Sequence, residues 1–141
     1  MRLWDASAIV PLLVPQRASG AAEAVFETDP YVIVWWATPV ECSSALARLE
    51  REGGIGREAL TAAYDRLRKL GAAWDEVQPG RRVRDNAQRL LRSFALRAGD
   101  ALQLAAAMEF SEDSPAELEF VCFDQRLADA ASRLGMRVIG Q

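Results

Sequence analysis

The sequence contains no histidine, and this absence excludes several classes of enzyme. Without an imidazole there is no Ser-His-Asp or Cys-His nucleophile, no histidine general base, and no ligand set for most zinc sites. An enzyme with this composition must therefore work with carboxylates, hydroxyls, arginines or a bound ion.

Lysine is almost absent as well, because Lys69 is the only one, and nearly all of the positive charge is carried by arginine. The formal net charge of -3 argues against a protein that holds duplex DNA by bulk electrostatics. Nucleic acid remains a candidate substrate, since the guanidinium group suits bidentate contacts with phosphate.

Long hydrophobic runs are missing too, and no stretch approaches the roughly 18–20 apolar residues that span a bilayer. The first sixteen residues mildly resemble a signal peptide, but Asp5 interrupts them and no small-residue cleavage site follows. We therefore expect a cytoplasmic protein. Cysteine is scarce, and the positions of Cys42 and Cys122 in apolar contexts predict reduced, buried thiols rather than a metal site.

The 141 residues are enough to bury a core in one domain, which we expect to span residues 1–141. Short β-rich runs alternate with segments of helical periodicity. This alternation predicts an α/β fold, a three-layer α/β/α sandwich around a central, mostly parallel sheet. The predicted strands are 2–4, 31–36, 72–77, 118–123 and 136–140. The predicted helices are 6–14, 17–28, 38–52, 57–70, 81–97, 96–110 and 125–135.

Four acids fall where such a fold binds ligands, outside the carboxyl ends of the strands. Asp5 ends the first predicted strand and Asp124 ends the fourth, while Glu41 and Asp100 lie in the first turns of two helices. Taken singly, each acid fits a helix cap or a turn. Taken together at one edge of the sheet, they favour a site.

Carboxylates that lie close together repel one another unless a proton or a cation is shared between them. Mg²⁺ and Mn²⁺ prefer oxygen ligands and activate water without help from histidine. The sequence therefore predicts metal-dependent hydrolysis of phosphodiester bonds, with all four acids as catalytic residues. We expect Asp5, Asp100 and Asp124 to hold the ion and Glu41 to complete or orient the site.

Four segments, in their order and spacing, resemble the PIN domain, and most closely the VapC-like toxins of bacterial toxin–antitoxin pairs. These segments are "LWDASAIV", "TPVECSSALARL", "RAGDALQLAAA" and "VCFDQRLADAASRLG". The resemblance extends from Arg2 to Ile139. It implies a Rossmann-like sandwich, dependence on Mg²⁺ or Mn²⁺, endoribonuclease activity on RNA, and a homodimer neutralised by a small antitoxin.

The resemblance also assigns residues. Asp5, Glu41, Asp100 and Asp124 match the acidic positions of the family, and Ser7 matches its hydroxyl position two residues after the first acid. The chain departs from the family two residues before the fourth acid, where many relatives carry Ser or Thr and this sequence has a cysteine.

Other residues allow two interpretations each. Ser7 either caps the first helix or contributes to the site, or does both. Trp35 and Trp36 suit base stacking or core packing, and at most one of them faces a given site because neighbours on a strand point in opposite directions. Among the many arginines, Arg92 and Arg97 are our candidates for contacts with RNA, since they approach Asp100 along the chain.

Three rival functions remain to be weighed. A response-regulator receiver domain needs a lysine near its phosphoacceptor, and Lys69 falls late in an amphipathic helix. A phosphatase of the haloacid-dehalogenase type needs a second aspartate where Ser7 stands. The third rival is a catalytically silent PIN-like module that acts by binding other proteins, and the presence of all four acids argues against it.

Overall fold

A computed structural model describes residues 2–112 and 114–140, so that Met1, Asp113 and Gln141 of the predicted domain lie outside the described residues. Strands and helices alternate along this part of the chain, as the sequence predicts. The five strands are β1 (Arg2–Trp4), β2 (Ile33–Trp35), β3 (Asp75–Val77), β4 (Glu119–Val121) and β5 (Arg137–Ile139). The seven α-helices are α1 (Ala6–Leu13), α2 (Ser19–Thr28), α3 (Thr38–Arg51), α4 (Arg57–Gly71), α5 (Arg81–Ser93), α6 (Ala98–Phe110) and α7 (Gln125–Arg133).

All five strands are parallel and lie in the order β3-β2-β1-β4-β5. The chain adds strands outward from β1 to β3 and then crosses back to β4 on the other side of β1. The strand order therefore reverses between β1 and β4, which is the position where open parallel sheets bind ligands.

Each strand contributes side chains to both faces of the sheet, as the period of two requires. Leu3 of β1 and Phe120 of β4 pack against α5, α6 and α7, while Trp4 and Val121 pack against α1–α4. Two hydrophobic cores result, one on each side of the sheet. The predicted three-layer α/β/α sandwich is thus confirmed.

The strands are shorter than predicted, and one predicted helix is wrong at its end. The apolar periodicity of residues 81–97 predicts a helix up to Arg97, but α5 ends at Ser93 because Phe94 adopts an extended backbone. This break lets the chain reverse so that α6 packs antiparallel along α5. The helix α3 begins at Thr38, as predicted, and ends at Arg51, one residue before the predicted end.

No helix within the described ranges has both the length and the apolar character needed to cross a membrane.

The observed helix ends lie closer to their predicted positions than the observed strand ends do. Gly135 stops α7 with a φ of 92°, a backbone conformation that glycine adopts without strain.

Candidate active site

A cleft of about 750 Å³ opens at the carboxyl edge of the sheet, beside the switch point between β1 and β4. All four acids predicted from the sequence line this cleft, together with Ser7. They arrive from four separate elements, the ends of β1 and β4 and the first turns of α3 and α6. The structure therefore brings together residues that are far apart in the sequence.

Asp5 is the most buried of the four acids, with 5% of its surface exposed. It is the N-cap of α1, and its Oδ2 accepts a hydrogen bond of 2.9 Å from the Ser7 backbone N–H. Burial raises the pKa of Asp5 above its usual value, and the charge of Asp124 adds to the rise, although bonds from Ser7 and Ala6 oppose it. A negative charge at this position is thus costly without a cation.

Glu41 points into the same cleft from the first turn of α3. Burial raises its pKa to about 7, and the charges of Asp5 and Asp100 contribute further. Within the described part of the chain, its carboxylate accepts no hydrogen bond and forms no ion pair. Glu41 is therefore ready to bind a proton or a cation at neutral pH.

Asp124 is the N-cap of α7 and Asp100 is the third residue of α6, and both accept backbone hydrogen bonds at these helix starts while they line the cleft. Oδ2 of Asp100 accepts a hydrogen bond of 3.3 Å from the backbone N–H of Arg97. Oδ1 of Asp124 accepts bonds of 3.0 and 3.2 Å from the backbone N–H groups of Arg126 and Leu127 at the start of α7. The capping interpretation and the cleft position hold together at both aspartates.

Ser7 links the two strand ends on which Asp5 and Asp124 stand. Its Oγ accepts a hydrogen bond of 3.0 Å from the Phe123 backbone N–H and lies 3.6 Å from Cys122 Sγ. The thiol of Cys122 lies 3.9 Å from Asp5 Oδ2, and burial raises its pKa to about 12. Cys122 therefore stays protonated and supplies a neutral S–H donor two residues before Asp124. Both cysteines are free and buried, as predicted.

The donor set of the cleft consists of carboxylate oxygens, which are the ligands that Mg²⁺ and Mn²⁺ prefer. As the side chains stand, no three His, Cys, Asp or Glu residues in 2–112 and 114–140 are arranged to enclose a metal ion. Mg²⁺ keeps several of its waters and commonly binds through only one or two carboxylates and a substrate phosphate. The charge of Asp124 contributes to the raised pKa of Asp5, and the charges of Asp5 and Asp100 contribute to the raised pKa of Glu41, so the residues fit such an open ion site in chemistry.

The arginines predicted to contact RNA do not line the cleft. Arg92 lies on the exposed surface of α5, and Arg97 is the N-cap of α6, where only its backbone N–H approaches Asp100. The structure instead places Arg17 and Arg48 in the cleft wall. Arg48 follows Glu41 by seven residues on the same helix, a spacing visible in the sequence; no sequence signal marks Arg17.

A second arginine contact was also missed from the sequence. Nη2 of Arg126 in α7 lies 3.5 Å from Oδ2 of Asp100 and forms an ion pair with it. The partner of Asp100 thus comes from a distant helix that the sheet topology brings to the same edge.

Two sequence alternatives are settled by position. Trp35 is buried in the core under α6, whereas Trp36 is 49% exposed beside α3 and does not line the cleft. Lys69 forms an ion pair of 2.9 Å with Asp65 on α4 and does not line the cleft that holds the four predicted acids. The receiver-domain alternative lacks the lysine that it requires.

Comparison with known sequences finds close relatives, although no family model matches the chain. Ribonuclease VapC46 of Mycobacterium tuberculosis is 38% identical over 141 residues, which cover 96% of this chain and 93% of that protein. Ribonucleases VapC45 and VapC49 of the same species are each 30% identical over 135 residues, covering 96% of this chain and 92% of theirs.

Comparison with solved structures finds the same fold in more distant proteins. PAE2754 from Pyrobaculum aerophilum has a TM-score of 0.68 at 23% identity, covering 97% of this chain and 89% of that one. FitAcB from Neisseria gonorrhoeae has a TM-score of 0.67 at 20% identity, covering 99% and 96%. A toxin–antitoxin complex from Klebsiella pneumoniae has a TM-score of 0.63 at 16% identity, covering 91% of each chain.

Proposed function

Since this chain belongs to the VapC ribonuclease family of PIN-domain proteins, we propose that it is a metal-dependent endoribonuclease and the toxin of a toxin–antitoxin pair. The observation that carries the proposal is the meeting of four carboxylates in one cleft at the switch point of the sheet. The relatives named ribonucleases match the chain over 96% of its length, which supports the same activity for this chain.

Asp5, Asp100 and Asp124 are the residues that would hold Mg²⁺ or Mn²⁺. When bound, such an ion supplies an activated water and stabilises the negative charge that develops at phosphorus. Asp5 is held by its bond to the Ser7 backbone and Asp124 by its bonds to the first turn of α7, so both carboxylates are fixed before any ligand arrives.

Glu41 is suited to a different task because, within the described residues, its carboxylate lines the cleft, accepts no hydrogen bond and forms no ion pair. A carboxylate placed in this way is available to take a proton from a water in the cleft. We assign to Glu41 the acceptance of a proton from the water that attacks the phosphodiester. The phosphorus–oxygen bond to the neighbouring nucleotide breaks as the bond to the water oxygen forms, and the leaving oxygen takes a proton from solvent.

We also propose a small antitoxin protein and a second copy of this chain as its partners. The antitoxin is supported by the fold shared with the Klebsiella pneumoniae toxin–antitoxin complex. The homodimer follows from the family resemblance alone.

The test is cleavage of total cellular RNA by the purified chain with Mn²⁺ or Mg²⁺, beside an EDTA control and the Asp100→Asn variant. The amide oxygen of Asp100→Asn can still accept the hydrogen bond from the Arg97 backbone N–H, so this variant keeps the start of α6. We expect defined fragments from the wild-type chain and none in either control.

Two results would overturn the proposal. If Asp100→Asn cleaves RNA as well as the wild-type chain does, Asp100 is not part of the catalytic site. Absence of cleavage of any RNA by a chain that is free of antitoxin and binds Mn²⁺ would favour the silent protein-binding module.

A further inference from the structure

The cleft has a basic end as well as an acidic one. Among the described residues that line it, Arg17 and Arg48 are the two basic side chains, and the amide of Gln16 lies beside them. Arg17 and Gln16 belong to the connection between α1 and α2, and Arg48 belongs to α3. The acids that we assign to catalysis occupy the other end.

The elements of the wall run from the acidic end to the basic end. In α3, Glu41, Ala45 and Arg48 follow one another at spacings of four and three residues, so they share one helix face, and all three line the cleft. Seven residues of helix place Arg48 about 10 Å beyond Glu41 along the axis. On the facing side, α1 begins at the acidic end with Asp5 and leads to Arg17 after its last turn.

The two arginines have no partner within the described part of the chain. Several other arginines form ion pairs with acids, as Arg2 does with Glu119 and Arg68 with Asp65. Arg17 and Arg48 form none, and both are exposed to solvent. Their guanidinium groups are therefore available to an external anion.

We propose that Arg17 and Arg48 bind backbone phosphates of a single-stranded RNA that extends from the acidic end of the cleft. This inference rests on the proposed ribonuclease activity and deepens it by naming the residues that position the substrate. The distance of Arg48 from Glu41 assigns it to a phosphate of a neighbouring nucleotide rather than to the phosphate that is cleaved.

Charge complementarity supports this assignment. A chain with a net charge of -3 and four clustered carboxylates repels RNA unless local positive charge offsets the repulsion. A bound ion offsets this repulsion only at the phosphate that is cleaved. Arginine binds phosphate through two parallel N–H bonds. Arg17 and Arg48 are exposed in the cleft wall and form no ion pair with the described residues, so their guanidinium groups can bind the adjoining phosphates.

The test measures how RNA affinity depends on salt. A fluorescein-labelled single-stranded RNA of mixed sequence is titrated, by fluorescence anisotropy in Mg²⁺, with chains that carry Asp100→Asn to keep the RNA intact. Added to this background are Arg17→Gln, Arg48→Gln, Arg48→Lys or Arg51→Gln. Arg51 is the matched control, because it is also an exposed arginine in the last turn of α3 but does not line the cleft.

We expect Arg17→Gln and Arg48→Gln each to weaken binding about tenfold, the cost of a charge-assisted hydrogen bond. Each also lowers the slope of log affinity against log salt by about 0.7, because one fewer phosphate is neutralised. Arg48→Lys recovers the slope and part of the affinity, and Arg51→Gln changes neither. In cleavage assays with Asp100 intact, Arg48→Gln raises KM more than it lowers kcat.

The outcomes separate this inference from the proposed function. If the wild-type chain cleaves RNA while Arg17→Gln and Arg48→Gln bind as Arg51→Gln does, the inference fails and the ribonuclease stands. Weaker binding with an unchanged salt slope also overturns it, since the arginines would then act through the fold. A loss of slope confined to Arg17 and Arg48 supports it, even if the wild-type chain cleaves no RNA.

Discussion

At the scale of single residues, Glu41 differs from the three aspartates that line the same cleft. Asp5, Asp100 and Asp124 each accept a backbone hydrogen bond at a helix start. Glu41 receives no such bond among the described residues, and its pKa is about 7. Its charge is therefore a cost to the folded chain in the absence of a cation.

We predict that Glu41→Gln stabilises the ion-free protein at pH 8 but not at pH 4. The pKa of Glu41 rises from 4.5 to about 7 on folding, so the folded state binds the proton more tightly. This contribution to stability is fully present below pH 4.5 and is lost as the pH rises to about 7. The measurement is the melting temperature in EDTA at the two pH values.

The control for this prediction is Glu50→Gln, at an exposed position on the same helix. Equal melting temperatures of Glu41→Gln and the wild-type chain at pH 8 would contradict the electrostatic strain that we assign to Glu41. The same variant should cleave RNA more slowly at neutral pH, which would separate its functional role from its effect on stability.

At the scale of elements, the acids raise the question of whether they cap helices or serve the cleft. Asp124 begins α7 with two backbone bonds and yet lines the cleft beside Asp5. The sequence predicts both roles and favours the site when the four acids are taken together. Substitutions that keep or remove the cap distinguish the two.

We predict that Asp124→Asn leaves the free energy of unfolding nearly unchanged, while Asp124→Ala lowers it by about 1 kcal/mol because the cap is lost. Both variants should cleave RNA more slowly, since neither has a carboxylate at this position. Denaturant unfolding and cleavage assays on the two variants make the measurement. If Asp124→Asn cleaves RNA as fast as the wild-type chain does, Asp124 serves only as a helix cap.

The elements also show what sequence patterns predict and what they miss. The acids that follow β1 and β4 were predictable, because the carboxyl ends of parallel strands share one edge and the strand pattern is strong. The end of α5 was not predictable from the sequence, because the apolar period continues past Ser93. The break at Phe94 belongs to the packing of α5 on α6.

Contacts between distant elements were hidden for a similar reason. The ion pair of Arg126 with Asp100 depends on how α7 lies beside α6, which no local pattern encodes. Arg92 and Arg97 were chosen for RNA because they approach Asp100 along the chain. Arg17 and Arg48 approach the acids in space instead, and proximity in sequence was the wrong criterion for finding the arginines of the cleft.

At the scale of the whole molecule, the strand order determines where the chemistry lies. The reversal between β1 and β4 leaves room at the carboxyl edge, and Asp5 and Asp124 flank that room. The helices on the two faces then bring Glu41 from one layer and Asp100 from the other. A histidine-free chain thereby brings four carboxylates to one cleft, and carboxylate oxygens are the ligands that the proposed divalent ion prefers.

The central claim, that these carboxylates form one ion site, is tested most directly by calorimetric titration of the antitoxin-free chain with Mn²⁺, beside Asp5→Asn. We predict saturable binding to the wild-type chain and an affinity at least about tenfold lower in Asp5→Asn, because the most buried carboxylate of the cleft is lost. The same Mn²⁺ affinity in both proteins would contradict the account, since the ion would then bind elsewhere.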